Sequence, residues 1–530
     1  MDVVNLARQA EAARDRHGDY DQLFFEGRWH TSGSLADRAA RFATGLTELG
    51  VSPGDRLLVL MANCPEVFVT YTAAWRAGAA VTPLIFLVSE GELRTALVSS
   101  GAVGVITTTE FLAKVLGAVA GAPGVRFVVS VGVPPDLNPA SEAGPIAGTV
   151  PVHDFAAVES AAPGTIAARS GTDLAALLYT GGTTGRSKGV PLSHANLMWC
   201  GSSVNQVSAN AGADMHLLPL PLAHAYGLLV LCVGMQRTNP AQTVLMRWFD
   251  AAGWLALAEA HRVQASALVP SMIQMLLGQP LEKHDLSELT SLSSGAAPLA
   301  AEVRVQFETR VPGCTIYEGY GCTESATIIS ASPPDARRLG SVGLPVPGCE
   351  VSIQDEAGQV LTAGTDGEIC VRSPGVMSGY WQGADTSATV LAGGWLHTGD
   401  IGHLDTEGYL YVVDRKKDLI LRGGFNVFPR DVEEVLLAHP DVTQAGVIGR
   451  PDPRVGEEVV AFVTLRPGST ATPADITGHA KQHLSATKYP REVRIVPAIP
   501  LTSVGKLDRK KLREWMTDPV PERGTTARSE

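Results

Sequence analysis

Along the chain the apolar positions switch repeatedly between helical and strand spacing. Leu35–Leu49 carries its apolar residues on one helical face and stops at Gly50. After the turn Ser52-Pro53-Gly54-Asp55, the run Arg56–Met61 reads as a buried strand. Glu66–Ala77 is helical again, Val81–Pro83 follows Gly78 as a strand, and Glu92–Ser99 and Val103–Thr107 repeat the pair. The alternation runs from about residue 30 to about residue 400 and predicts an α/β fold of layered, largely parallel sheets. From Gly340 to Val413 the spacing changes to short strands rich in glycine, such as Gly367-Glu368-Ile369-Cys370-Val371, which predicts a β-rich subdomain over about 340–413. The charged cluster Asp414-Arg415-Lys416-Lys417-Asp418 interrupts the pattern. A compact α+β series follows it, with helices Arg430–His439 and Pro473–Leu484 and strands Ala445–Gly449 and Glu458–Leu465. These breaks predict a large N-terminal domain over 1–414, a small C-terminal domain over 415–517, and an aperiodic, floppy tail over 518–530.

Composition narrows the function. The length, 530 residues, suggests three or four domain-sized units at about 150 residues each. Lys+Arg is 42 and Asp+Glu 54, a net charge of −12, which argues against a nucleic-acid binder because such binding is driven by Lys and Arg neutralising phosphates. The seven cysteines are scattered with no CxxC pair, so neither a zinc site nor a disulfide framework is indicated. No basic leader with an apolar stretch opens the chain, and Leu57–Ala62 and Leu228–Met235 are too short to span a bilayer. A cytoplasmic protein without a transmembrane segment is the expectation. Gly 55 and Pro 34 make 89 residues, a surplus that points to shaped loops.

The densest such loop is Tyr179-Thr180-Gly181-Gly182-Thr183-Thr184-Gly185-Arg186-Ser187-Lys188-Gly189, fed by the apolar strand Ala175–Tyr179. Glycines let backbone N–H groups turn toward an anion, hydroxyls donate, and the lysine adds charge, which is the chemistry of a polyphosphate cradle. It is not the P-loop of NTPases, since Ser187 precedes the lysine and Gly189 follows it. Gly185-Arg186-Ser187-Lys188-Gly189 also spells the GxSxG elbow of serine hydrolases, with Ser187 as nucleophile. That elbow needs a strand directly before the serine and a helix directly after it; here Thr180–Thr184 intervene and Val190-Pro191 blocks a helix. A phosphate site is the favoured reading.

The loop resembles the phosphate-binding signature of the adenylate-forming superfamily, which includes acyl-CoA synthetases, aryl-CoA ligases and peptide-synthetase adenylation domains. The resemblance covers about Asp21 to Lys511, and further motifs recur in the family's order. Tyr317–Ser325 is similar to its Tyr-Gly-x-Thr-Glu motif, Trp395–Asp400 and Asp414–Asp418 to its ribose-binding and hinge segments, and Thr502–Arg509 to the loop bearing its adenylation lysine. Gly181 stands where many members have Ser and Ser187 where many have Pro, a form that resembles bacterial fatty acyl-CoA ligases.

The resemblance implies two half-reactions: a carboxylate attacks the α-phosphate of ATP to give an acyl-adenylate and pyrophosphate, and a thiol then displaces AMP. It implies that Thr180, Gly181, Gly182, Thr183, Thr184, Gly185 and Lys188 grip the β- and γ-phosphates, with Thr323 at the α-phosphate and Glu324 as ligand to Mg²⁺. Gly295-Ala296-Ala297 and Glu318-Gly319-Tyr320-Gly321 would enclose the adenine, Asp400 and Arg415 would hold the ribose, and Lys506 would bridge carboxylate and α-phosphate. His224 would sit beside the substrate carboxylate. Met215–Val233 contains no acid to pair an α-ammonium group, and an unpaired charged amine in an apolar pocket is costly. A medium- or long-chain fatty acid is therefore the leading substrate and an aryl acid the second. Family members rotate the small domain about a residue that corresponds to Lys417, which would bring Gly423-Gly424 to the pantetheine arm of CoA or of an acyl carrier protein, with Arg422 and Arg450 near CoA phosphates. No insertion of the carrier-loading kind is visible in Gly340–Val371, which favours CoA.

Overall fold

A computed structural model describes residues 5–133, 150–180, 187–208, 212–502 and 507–516. The expected helix–strand alternation is present. The helix predicted over Leu35–Leu49 spans Ser32–Glu48, capped by the Thr31 side chain, and the strand Arg56–Leu60 follows it. Pro65–Arg76 is the next helix, begun by a proline at its first turn where the N–H would have no partner in any case. Glu90–Ser100 starts with a reciprocal Ser89/Glu92 capping box.

These elements build a seven-stranded sheet whose order is 152–154, 127–131, 104–108, 56–60, 80–83, 174–180, 188–193. All its pairings are parallel except the last, where Leu174–Thr180 and Lys188–Ser193 form an antiparallel hairpin with Thr180 opposite Lys188. A nine-stranded sheet has at its centre the parallel strands 315–320, 291–294, 265–268, 215–218 and 242–245. Asp21–Phe25 joins its far side beside Gln242–Leu245, a long-range pairing that local spacing does not reveal.

Between the sheets lies the largest core cluster, which includes Phe42, Tyr71, Trp75, Leu57 and Val81. Trp75 is fully buried and its indole N–H donates to the Ala175 carbonyl at 3.0 Å, which satisfies the one polar atom of that ring. The β-rich stretch forms a four-stranded antiparallel sheet of Glu350–Gln354, Gly367–Arg372, Leu396–Leu404 and Leu410–Arg415. Beyond Arg415 a smaller C-terminal domain is built on Val442–Asp452 paired with Gly456–Leu465, with helices Pro429–Leu437 and Pro473–His483. The stretch 518–530 lies outside the described residues.

No helix among the described residues is long and apolar enough to cross a membrane. All seven cysteines are free. Burial pushes the thiols of Cys200, Cys314, Cys349 and Cys370 up to about 12, and those of Cys64, Cys232 and Cys322 upward as well.

Candidate active site

The antiparallel strands Leu174–Thr180 and Lys188–Ser193 set one wall. Gly181, Gly182, Thr183, Thr184 and Gly185 lie outside the described residues, and Thr180 stands opposite Lys188 at the end of the paired strands. Ser187 is followed by the strand Lys188–Ser193, and its Oγ donates to the Thr180 carbonyl at 2.7 Å. The strand–serine–helix geometry of a hydrolase elbow is absent at this serine. Beside the hairpin is a cavity of about 180 Å³ lined by Tyr179, Ser187, Lys188, Tyr380, Trp381 and Thr386.

Two parallel strands of the large sheet set the second wall. Ser291–Ser294 and Thr315–Tyr320 run in register, with Ser294 opposite Glu318, so Gly295-Ala296 and Gly319-Tyr320 emerge side by side. Ligands of open α/β sheets gather at such strand ends. A Cβ at Gly295 would come 3.2 Å from the Gly319 carbonyl, a contact that glycine avoids. Ala296 holds φ at 68°, a left-handed conformation that costs energy for a residue with a side chain; Ala297 follows in the same half-buried turn. Glu318 points the other way: its buried carboxylate accepts from Arg304 Nη2 at 2.5 Å. Burial raises the Glu318 pKa although Arg304 opposes the shift. The Glu318 side chain is thus committed to the protein interior, and only its backbone borders the adenine site that the motif implies.

Tyr320, Asp400 and Arg415 come together from three segments. The Tyr320 hydroxyl donates to Asp400 Oδ2 at 2.7 Å, and Arg415 Nε lies 3.2 Å from Asp400 Oδ1. Asp400 and Arg415 face each other across adjacent strands. Behind Asp400, the Glu368 carboxylate accepts the Gly399 N–H at 3.1 Å and lies 3.4 Å from the Lys416 ammonium.

Past Gly321, which packs on the Thr327 backbone, Thr323-Glu324-Ser325 makes a single 3-10 turn. Glu324 Oε1 accepts the Tyr380 hydroxyl at 2.9 Å, while the Lys188 ammonium sits 4.9 Å from the centre of the Tyr380 ring. Tyr380 and its neighbour Trp381 escaped the sequence reading. Their signal, a Gly-Tyr-Trp run in a glycine-rich stretch, carries no periodicity that marks a site.

His224 caps the apolar helix Ala225–Gly234, its Nδ1 accepting the Tyr226 N–H at 3.3 Å. Lys417 is exposed, yet partial desolvation and then the neighbouring Arg415 charge lower its pKa. Gly423 and Gly424, with φ of 59° and 81°, form the two-residue turn of a hairpin that pairs Arg422 with Phe425, a turn requiring left-handed φ at both positions. Arg422 is bound to Glu458 at 2.6 Å and Arg450 to Glu492, so both expected phosphate contacts have partners within the protein. Lys506 lies outside the described residues.

The family model for AMP-binding enzymes matches residues 9–381, and the model for the AMP-binding enzyme C-terminal domain matches residues 431–506. The chain belongs to the AMP-binding enzyme family. It is 34% identical over 490 residues to a feruloyl-CoA synthase of Amycolatopsis sp, covering 91% of this chain and 93% of that protein. A long-chain-fatty-acid–CoA ligase of Yersinia pestis is 32% identical over 536 residues, covering 96% and 94%. The solved structure of the anthranilate CoA ligase AuaEII in complex with anthranoyl-AMP superposes with a TM-score of 0.89 at 26% identity, covering 98% of each chain. This family member is an acid–thiol ligase of the AMP-forming type and acts on an acyl or aryl acid.

Proposed function

We propose that the protein activates an apolar carboxylic acid, foremost a medium- or long-chain fatty acid, and transfers it to CoA. The acid's carboxylate oxygen attacks the α-phosphorus of ATP, the α–β bridge bond breaks, and acyl-AMP and pyrophosphate form. The thiol sulfur then attacks the acyl carbon, its proton leaves, and AMP departs. The observation that carries the nucleotide half is the convergence of Tyr320, Asp400 and Arg415 at 2.7 and 3.2 Å. Asp400 offers carboxylate oxygens to the ribose hydroxyls while Tyr320 and Arg415 hold it in place. Lys188 and the Thr180–Gly185 loop take the β- and γ-phosphates, Thr323 the α-phosphate, and Lys506 bridges the two reacting anions.

Among the described residues no group of three or more His, Cys, Asp or Glu could hold a metal by itself. Mg²⁺ does not need such a cage, because it is held by one or two carboxylates together with substrate phosphates, and Glu324 fits that role. Bound there, it would neutralise polyphosphate charge.

Substrate choice follows from the apolar helix behind His224. That helix carries no charged side chain, and burial pushes the phenol of its Tyr226 up to about 12. An aryl acid is the second reading, favoured by the likeness to the feruloyl-CoA synthase. Residues 1–414 and 415–517 form the two bodies, with Lys417 as pivot and the Gly423-Gly424 turn beside the pantetheine route.

ATP–pyrophosphate exchange over fatty, aryl and α-amino acids tests the reading, with CoA and a pantetheinylated carrier protein then offered as acceptors. Exchange with fatty acids and thioester formation on CoA are expected, and Lys506→Ala abolishes acyl-adenylate while the protein stays folded. Exchange confined to α-amino acids, or esterase activity lost in Ser187→Ala with no exchange in the parent, would overturn it.

A further inference from the structure

A short segment, residues 377–381, touches both walls of the phosphate site. The Met377 N–H donates to the Glu324 carbonyl at 2.8 Å, and the Tyr380 hydroxyl to the carboxylate of the same residue at 2.9 Å. The Trp381 N–H donates to the Gly189 carbonyl at 2.8 Å and its indole N–H to the Ser99 carbonyl at 2.9 Å. Gly189 leaves no spare room there, since a Cβ would lie 2.9 Å from the Trp381 Cβ. The Tyr380 N–H is itself held by Ser387 Oγ at 2.8 Å. Tyr380 is therefore fixed from both sides and by its own backbone.

Its side chain meets two opposite charges in two different ways. The Glu324 carboxylate takes the hydroxyl at the ring's edge, and the Lys188 ammonium lies toward the ring itself, 4.9 Å from its centre. A carboxylate and an ammonium serving one anionic ligand have an unproductive alternative, which is to pair with each other. Such a pair would cancel the lysine charge meant for the phosphates and occupy the carboxylate meant for the cation. A phenol offers each of them a partner: a hydroxyl that donates to the anion and a π face that attracts the cation.

We propose that Tyr380 is a positioning residue that keeps Glu324 and Lys188 apart and aimed at the polyphosphate. The proposal rests on the reading that these two residues serve the phosphates. Tyr380→Phe keeps the ring and removes the hydroxyl; Tyr380→Leu removes both. ATP binding to the acid-free enzyme is measured by calorimetry, with and without Mg²⁺, alongside pyrophosphate exchange and thermal melting.

With Mg²⁺, Tyr380→Phe is expected to weaken ATP binding about tenfold, the loss of one charge-assisted hydrogen bond. Tyr380→Leu is expected to weaken it about threefold more, as the cation–π contact goes. In a Glu324→Gln background the Phe change should have little further effect, which separates positioning of this carboxylate from general support of the fold. Parental binding in Tyr380→Phe, or the same tenfold loss in the Glu324→Gln background, overturns the proposal. Parental binding and exchange in both Glu324→Gln and Lys188→Met would instead overturn the phosphate-site reading beneath it.

Discussion

Replacing Asp400 by asparagine removes one charge from a residue with three expected partners. In the folded protein its side chain is 9% exposed, accepts the Tyr320 hydroxyl at 2.7 Å and faces the Arg415 guanidinium at 3.2 Å. Arg415 is 48% exposed, so that ion pair contributes under about 1 kcal/mol. The asparagine oxygen can still accept from Tyr320, so the hydroxyl contact loses only its ionic part, again about 1 kcal/mol. Stability should therefore fall by about 1–2 kcal/mol in total. The nucleotide loses more. Two ribose hydroxyls donating to a carboxylate lose about 1.5 kcal/mol each when the acceptor becomes neutral, together about 3 kcal/mol, or roughly a hundredfold in the KM for ATP. The assay is pyrophosphate exchange with ATP and with 2′- and 3′-deoxy-ATP. The parent should prefer ATP strongly, and Asp400→Asn should compress that preference toward unity while the KM for the acid stays put. An unchanged preference, or a defect confined to the KM for the acid, would refute the ribose assignment.

Three further outcomes follow from the buried charges and caps. Arg304→Ala strands the buried Glu318 carboxylate and should cost about 3–5 kcal/mol in urea unfolding, whereas Arg304→Met combined with Glu318→Leu should recover most of it; equal losses in both would contradict the pairing. His194 is buried with its pKa lowered to about 4 by burial, its Nδ1 accepting the Leu6 N–H and its Nε2 without a partner among the described residues. The unfolded chain binds that proton first, so stability should drop as pH falls from 6.5 toward 4, by up to about 3 kcal/mol from this residue. His194→Gln should flatten the slope of urea midpoint against pH; an unchanged slope would clear His194 of responsibility. His224→Ala should cost about 1 kcal/mol through the lost helix cap. His224→Asn should restore that stability without restoring the KM for the acid, and recovery of both would reduce His224 to a cap.

The parallel core was legible because its strands and helices are local and strongly periodic, from Leu35–Leu49 to Val103–Thr107. The glycine-rich loop and Lys506 were singled out by residue type and motif alone, and Gly181–Gly185 and Lys506 lie outside the described residues. What stayed hidden was long-range. Asp21–Phe25 pairs with Gln242–Leu245, and Trp381 meets Ser99 from far along the chain. No spacing rule encodes such contacts. Lys188–Ser193 contains Gly189 and Pro191, poor strand residues, yet it forms a strand because the proline sits at the sheet's edge, where its missing N–H costs little. Glu318 shows the opposite limit. Its motif position suggested a nucleotide contact, but strand alternation turns its side chain into the interior, where Arg304 neutralises it.

The seven free thiols, five buried and two half-buried, take on a different meaning beside an activated acyl group. An acyl-adenylate is an acylating reagent, and any thiolate within reach competes with the intended acceptor. Thiolates, not thiols, are the nucleophiles, and burial raises the pKa of all seven cysteines, which lowers the thiolate fraction of each. Cys322 directly precedes Thr323 and Glu324, and burial followed by the Glu324 charge raises its pKa. The fold thus acts as a protecting group for its own sulfur: each raised pKa leaves less thiolate to compete for the acyl group, without removing cysteine from the sequence.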